Sequence, residues 1–147
     1  MMLKNYKFYF QYLSYLQYPL MIIALYFAYE PLLNDISSIF QSFNKSLLFM
    51  GLGISFSTLQ DTTKTQNKIS KIVYQNPKYA KIFIIYVILL TLFFLSFGLY
   101  GFLFTQNENI NEISLGLIVM GIGMLGMLKM VIEMAEYQQN NHQQTND

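Results

Sequence analysis

Apolar residues fall into four long stretches along this chain, near 13–33, 39–59, 82–104 and 113–135, and polar residues gather between them. A helix that crosses the hydrocarbon core of a bilayer needs about 20 mostly apolar residues, each rising about 1.5 Å. The third stretch, from Ile82 to Phe104, and the fourth, from Ile113 to Ala135, meet that length. The second is weaker. Its uninterrupted core runs only from Leu47 to Leu59, so Asn44 and Lys45 must occupy its first turns, with the lysine reaching toward the headgroups. The expected fold is an all-α integral membrane protein, a four-transmembrane-helix bundle arranged as two tandem helical hairpins. A single transmembrane helical domain is expected over 1–137, with a polar loop near 60–81, followed by a flexible polar tail over 138–147.

Two prolines punctuate this pattern. Phe8, Tyr12 and Tyr15 share helical spacing, and Tyr6, Tyr9, Gln11, Gln17 and Tyr18 add the aromatic and polar fringe of an interfacial belt. Pro19 lacks a backbone donor and crowds the turn before it, so a short surface helix is expected to end there and a new helix to enter the bilayer. No small-x-small cleavage site follows, so the segment reads as a retained span rather than a signal peptide. Asn76-Pro77 predicts a second break, just before the third span.

A faint repeat links the second and fourth stretches. Met50-Gly51-Leu52-Gly53-Ile54 is echoed by Met120-Gly121-Ile122-Gly123-Met124. Either a parallel duplication of one hairpin or independent glycine-rich packing accounts for it.

The net charge of +1 conceals a strong asymmetry. Lys64, Lys68, Lys71, Lys78 and Lys81 crowd the central connection, whereas the other two connections carry Glu30 and Asp35 with Lys45, and Glu108 with Glu112. Lysine-rich short connections stay in the cytoplasm, so the central one and both termini are expected there. With lysine as the basic side chain of choice and abundant Asn and Gln, a bacterial cytoplasmic membrane is the expected location.

Composition then narrows the chemistry. Apolar residues make up 54% of the chain and charged residues 12%, outside the usual soluble range. There is no cysteine, which excludes thiolate nucleophiles, disulfides and cysteine-based metal sites, and His142 is the one histidine. No catalytic, cofactor or metal set is expected, and an enzyme is not the expected reading. A methionine-rich copper passage would lack the histidine and cysteine that usually collect the ion.

What remains is contact chemistry. Gly51 with Ser55, and Gly53 with Ser57, form small-x-x-x-small pairs that let helices approach where lipid gives them little hydrophobic reason to associate. In the fourth span Gly116, Met120, Gly123, Met127, Met130 and Met134 share one broad face, grooved and flexible, while Leu117 is expected to face lipid. Lys129, Glu133 and Glu136 form a polar strip at the far end of that helix. Lys129 lies about 24 Å along from Ile113, close enough to an interface to snorkel and to pair with Glu133. Lys64, Lys68 and Lys71 repeat at helical spacing beside Ile69, Ile72 and Val73, as on a short helix lying on anionic lipid. Without arginine or a larger basic surface, nucleic acid is not an expected partner.

The function these features favour is a small integral-membrane assembly or accessory subunit that acts through helix–helix and cytoplasmic-loop contacts. Its expected partners are membrane lipids and either another membrane protein or copies of itself. The alternative is a small oligomeric transporter or channel with its passage between subunits. Against it, the middle spans hold no acidic coupling residue and no arginine ladder.

Overall fold

The computed structural model describes residues 2–33, 36–60 and 68–144, with side chains at 8–33, 36–60 and 72–141. Among them lie six helices, α1 Met2–Ser14, α2 Gln17–Leu33, α3 Ile39–Ser57, α4 Lys68–Gln75, α5 Pro77–Phe104 and α6 Glu108–Gln144, with a short 3-10 turn at Ile36–Ser38 before α3. The described residues form no strand.

Local chemistry sets the breaks. Between α1 and α2 the chain tightens into a turn, with the amides of Tyr15 and Leu16 donating to Tyr12 and Leu13 carbonyls three residues back, both at 3.1 Å. Pro19 sits in the first turn of α2, where a missing N–H costs little. At the second break Asn76 is extended and its side-chain oxygen accepts from the Lys78 amide at 3.0 Å, while Pro77 opens α5. Asn107 does the same for α6, accepting from Asn109 at 3.1 Å.

Three stretches are long and apolar enough to cross a membrane: Phe8–Leu33, Pro77–Phe104 and Glu108–Asn141. α3 falls short of that standard. Gln41, Asn44 and Lys45 in its first turns lower its hydropathy, while the residues it buries are the small Ser42, Ser46, Gly51 and Gly53.

The helices form an open row, α2, α3, α6, α5, in which α2 packs on α3, α3 on α6 and α6 on α5. Neighbours along each hairpin run antiparallel: Met21 meets Gly53, Ala24 meets Ser46 and Glu30 meets Ser42, while Leu95 meets Gly121 and Gly101 meets Ser114. The central pair α3 and α6 runs parallel, since Asn44 meets Gly116, Gly51 meets Gly123 and Thr58 meets Gly126. Val87 of α5 and Met120 and Met124 of α6 are buried together there, against Leu47, Met50 and Ile54 of α3.

α6 has 37 residues, about 55 Å of helix, well beyond the roughly 30 Å of a hydrocarbon core. Its surplus is used. Val131, Met134 and Ala135 are buried with Tyr74 of α4 and Ala80 at the start of α5, forming a second apolar core beyond the first. The segment from Gln138, expected as a flexible tail, is helical as far as Gln144, and Gln138 is buried and pairs with Gln75 at 3.5 Å. Docking of α4 extends this helix, because it supplies a neighbour for one face of the Gln-rich turns. Residues 145–147 lie outside the described residues.

Candidate functional site

The closest approach in the molecule is at the middle of the α3–α6 pair. A Cβ added to Gly51 would lie 2.6 Å from the Val119 carbonyl oxygen and 2.7 Å from the Met120 nitrogen, and one added to Gly123 would overlap the Gly51 carbonyl oxygen. Only glycine lets two backbones come this near. Gly116 belongs to the same seam: its amide donates to the Asn44 side-chain oxygen at 2.7 Å, and Leu47 leaves no room for a side chain.

The other expected packing residues divide. Gly53 faces α2 rather than α6, with Met21 side-chain atoms at 3.4 Å. Ser55 and Ser57 turn inward on their own helix, donating to the Gly51 carbonyl at 2.9 Å and the Ile54 carbonyl at 2.6 Å. Met127 is partly buried against the second core. Leu117, expected toward lipid, instead packs on α5 beside Gly98. The two halves of the glycine repeat are not equivalent: Gly51 and Gly123 face one another, while Gly53 faces Met21 and Gly121 faces Leu95. The helices therefore meet two residues out of step with the repeat.

Polar side chains tie the row together near its acidic end. Ser42 donates to the Glu30 carboxylate at 3.0 Å, Ser46 donates to the Ala24 carbonyl at 2.8 Å, and the Lys45 ammonium sits 5.3 Å from the centre of the Phe27 ring. That cation–π contact makes Lys45 a link between α2 and α3. At the opposite end the Lys129 ammonium lies 3.5 Å from Glu133, and both side chains are exposed. Solvent screening keeps such a pair weak. Glu136 is exposed on the same side of α6. Lys64 lies outside the described residues. Lys68 and Lys71 lie in α4, their side chains outside the description. Burial pushes the Tyr74 phenol above its usual value.

Sequence reasoning missed four glycines. Gly98 and Gly101 admit Ile118 and Ser114 of α6 against α5, Gly121 admits Leu95, and Gly126 admits Thr58 of the turn after α3. Their signal was present as further small residues at helical spacing, but strong hydrophobicity around them drew attention to span length instead. Among the described residues no three His, Cys, Asp or Glu side chains gather as a metal site.

Helices of this length and apolarity, with aliphatic and aromatic side chains exposed along them, define an all-helical membrane protein. Compared with known proteins, the chain matches no family model, no curated protein and no solved structure.

Proposed function

We propose that the protein is a small integral-membrane assembly or accessory subunit that crosses the membrane four times and works by association. The carrying observation is how its polar groups are used: Ser46, Asn44 and Gly116 bind helix to helix, and α3 meets α6 backbone to backbone at Gly51 and Gly123. This arrangement leaves no passage between α3 and α6 at Gly51 and Gly123, which supports a scaffold over an autonomous pore. A transport passage would have to form between copies.

α3 as the fourth crossing is supported by its course beside α6, from Asn44 at Gly116 to Thr58 at Gly126. Its 19 residues give about 28 Å of helix, near the thickness of the hydrocarbon core. A cytoplasmic location for both termini is supported by the lysines at one end of the row, Lys78, Lys81 and Lys129, opposite Glu30, Glu108 and Glu112. The row's lysine end, with the second core beneath it, is the surface offered to anionic lipid or a cytoplasmic partner.

Two measurements test this reading. Single cysteines introduced by Asn5→Cys, Asp35→Cys, Ser70→Cys, Glu108→Cys and His142→Cys report topology through labelling in intact cells. Positions 35 and 108 are expected to be accessible from outside and the other three protected; labelling of 35 and 70 from one side would remove the α3 crossing. Intact-complex mass analysis after gentle extraction is expected to retain a distinct partner or a defined number of copies. Saturable solute flux through a reconstituted monomer, lost on Ser55→Ala or Lys129→Ala, would sink the association reading.

A further inference from the structure

The structure describes four lysine side chains, and they are not used alike. Lys45 sits over the Phe27 ring, and Lys129 pairs with Glu133. Lys78 and Lys81 stand exposed at the start of α5, and their ammonium groups meet no carboxylate, ring or other partner among the described residues. The sequence around them is just as one-sided. Between Gln60 and Lys81 there are five lysines and a single acid, Asp61.

The position of the two lysines on α5 gives that charge a use. At 100° per residue Lys78 lies opposite Ala80 and Val87, which mark the buried side of the helix, and Lys81 flanks it one turn on. The face they open continues as Ile82, Ile85, Leu89 and Leu92, all exposed. From Ile82 to Leu92 is about 15 Å of helix, the depth of one leaflet of hydrocarbon. Exposed aliphatic residues say only that lipid lies there. The two unpaired cations at the head of the stripe select which lipid. The other end of the hairpin has the opposite sign, with Glu108 and Glu112 exposed just past Phe104.

We propose that the lysine end of α5 holds an anionic phospholipid, its phosphate between the ammonium groups of Lys78 and Lys81 and its acyl chains along Ile82, Ile85, Leu89 and Leu92. On the orientation argued above, on which this rests, that lipid belongs to the cytoplasmic leaflet. Charge complementarity alone would also admit an acidic protein surface. Such a surface would have to meet exposed isoleucine one residue beyond Lys81, whereas an amphiphile with its anion above its chains satisfies both. α4 strengthens the site: Tyr74 is buried with Ala80, which docks α4 at this end of α5 and brings Lys68 and Lys71 to the same end of the molecule. A cluster of this size beside a membrane span is attracted to anionic headgroups, and each lysine contributes about a fivefold preference. Lys78 and Lys81 together therefore predict a preference of about fivefold to 25-fold over a zwitterionic lipid.

The chain has no tryptophan, so a single introduced one reports its own lipid neighbours. Ile82→Trp and, toward the other end of α5, Leu103→Trp put the reporter at exposed positions. The full chain is reconstituted in nanodiscs of equal phosphatidylcholine and phosphatidylglycerol, with bromine on the acyl chains of one lipid or the other, and quenching by each gives its relative occupancy. At Ile82→Trp the anionic lipid is expected to be favoured about fivefold or more, with the preference collapsing in about 1 M salt, where screening acts within about 3 Å. At Leu103→Trp no anionic preference is expected. Adding Lys78→Gln and Lys81→Gln is expected to remove most of the preference at position 82. Equal quenching by the two lipids at Ile82→Trp overturns the site, and so does a preference that both glutamines leave intact. Equal quenching, together with loss of a protein partner from the extracted complex of the two-glutamine chain, assigns the lysines to an acidic protein surface instead. Both leaflets of the nanodisc carry the same lipids, so the result does not depend on orientation. Cysteine labelling that puts position 70 outside the cell would defeat the orientation alone.

Discussion

Substituting alanine for Gly123 and, separately, for Gly53 makes the same chemical change at two sites that the fold treats differently. At Gly123 the new methyl would overlap the Gly51 carbonyl oxygen and sit 3.1 and 3.2 Å from the Gly51 carbonyl carbon and Cα. These are main-chain atoms of a helix, and they cannot swing aside as a side chain can. α3 and α6 must part, with a cost of about 1–3 kcal/mol for overpacking. At Gly53 the nearest atoms are three from the Met21 thioether chain, each at 3.4 Å, which is ordinary van der Waals contact with a flexible neighbour. Alanine there should be accepted. Both variants gain up to about 1 kcal/mol of intrinsic helix preference, so that gain cancels in the comparison and leaves the overpacking cost. Gly123→Ala is therefore expected to be about 1–3 kcal/mol less stable than Gly53→Ala, at least a several-fold difference in the unfolding equilibrium. Reversible unfolding in mixed micelles with increasing dodecyl sulfate, followed by helical circular dichroism, measures it. Equal stabilities, or Gly123→Ala the more stable of the two, would show that α3 and α6 do not touch at this point.

Ser46→Ala removes the hydroxyl that reaches from α3 to the Ala24 carbonyl and is expected to cost about 0.6 kcal/mol in the same unfolding assay; no loss would deny that bond a role in holding α2. Met134→Ala empties part of the second core around Tyr74 and Val131, with an expected cost of about 2–5 kcal/mol, read as faster hydrogen exchange of α4 amides in nanodiscs, and unchanged exchange would detach α4 from α6. Tyr74 adds a pH signature. Its folded pKa is raised above the free value of 10.0 by burial, so the folded state holds the phenol proton more tightly. The contact is then at full strength below that free value and is lost as pH rises through the raised one, so α4 should loosen only in strong alkali. In Tyr74→Phe that alkaline loosening is expected to disappear, and its persistence would place the titrating group elsewhere.

What the sequence made plain followed from the solvent. Lipid demands a minimum apolar length and backbone hydrogen bonds within each helix, so the stretches now in α2, α5 and α6 could be read directly, as could the breaks at Pro19 and Asn76-Pro77. α3 was harder because Gln41, Asn44 and Lys45 in its first turns pull down its average hydropathy, and that average does not show that Asn44 accepts from the Gly116 amide and that Lys45 sits over the Phe27 ring. Gly116 and Gly123 could be marked as packing residues from spacing alone. Their partners could not be named, since choosing Asn44 and Gly51 depends on register across two helices far apart in sequence.

The Gln-rich end of α6 shows how composition can hide periodicity. Val131, Met134, Ala135 and Gln138 recur at helical spacing and are all buried on one face, yet the surrounding Gln, Asn and Glu make the segment resemble a tail. A polar composition leaves a segment unfolded only when it has too little apolar surface to bury. α4 changes that condition by bringing Tyr74 to the missing face. The same reasoning bears on α5 from the other direction. Its apolar surface is far more than the row can cover, and hydropathy assigns all of it to lipid. What a helix contributes to the fold is therefore read from the residues it buries, Ala80, Val87, Thr91 and Gly98 in α5, and not from its mean hydropathy.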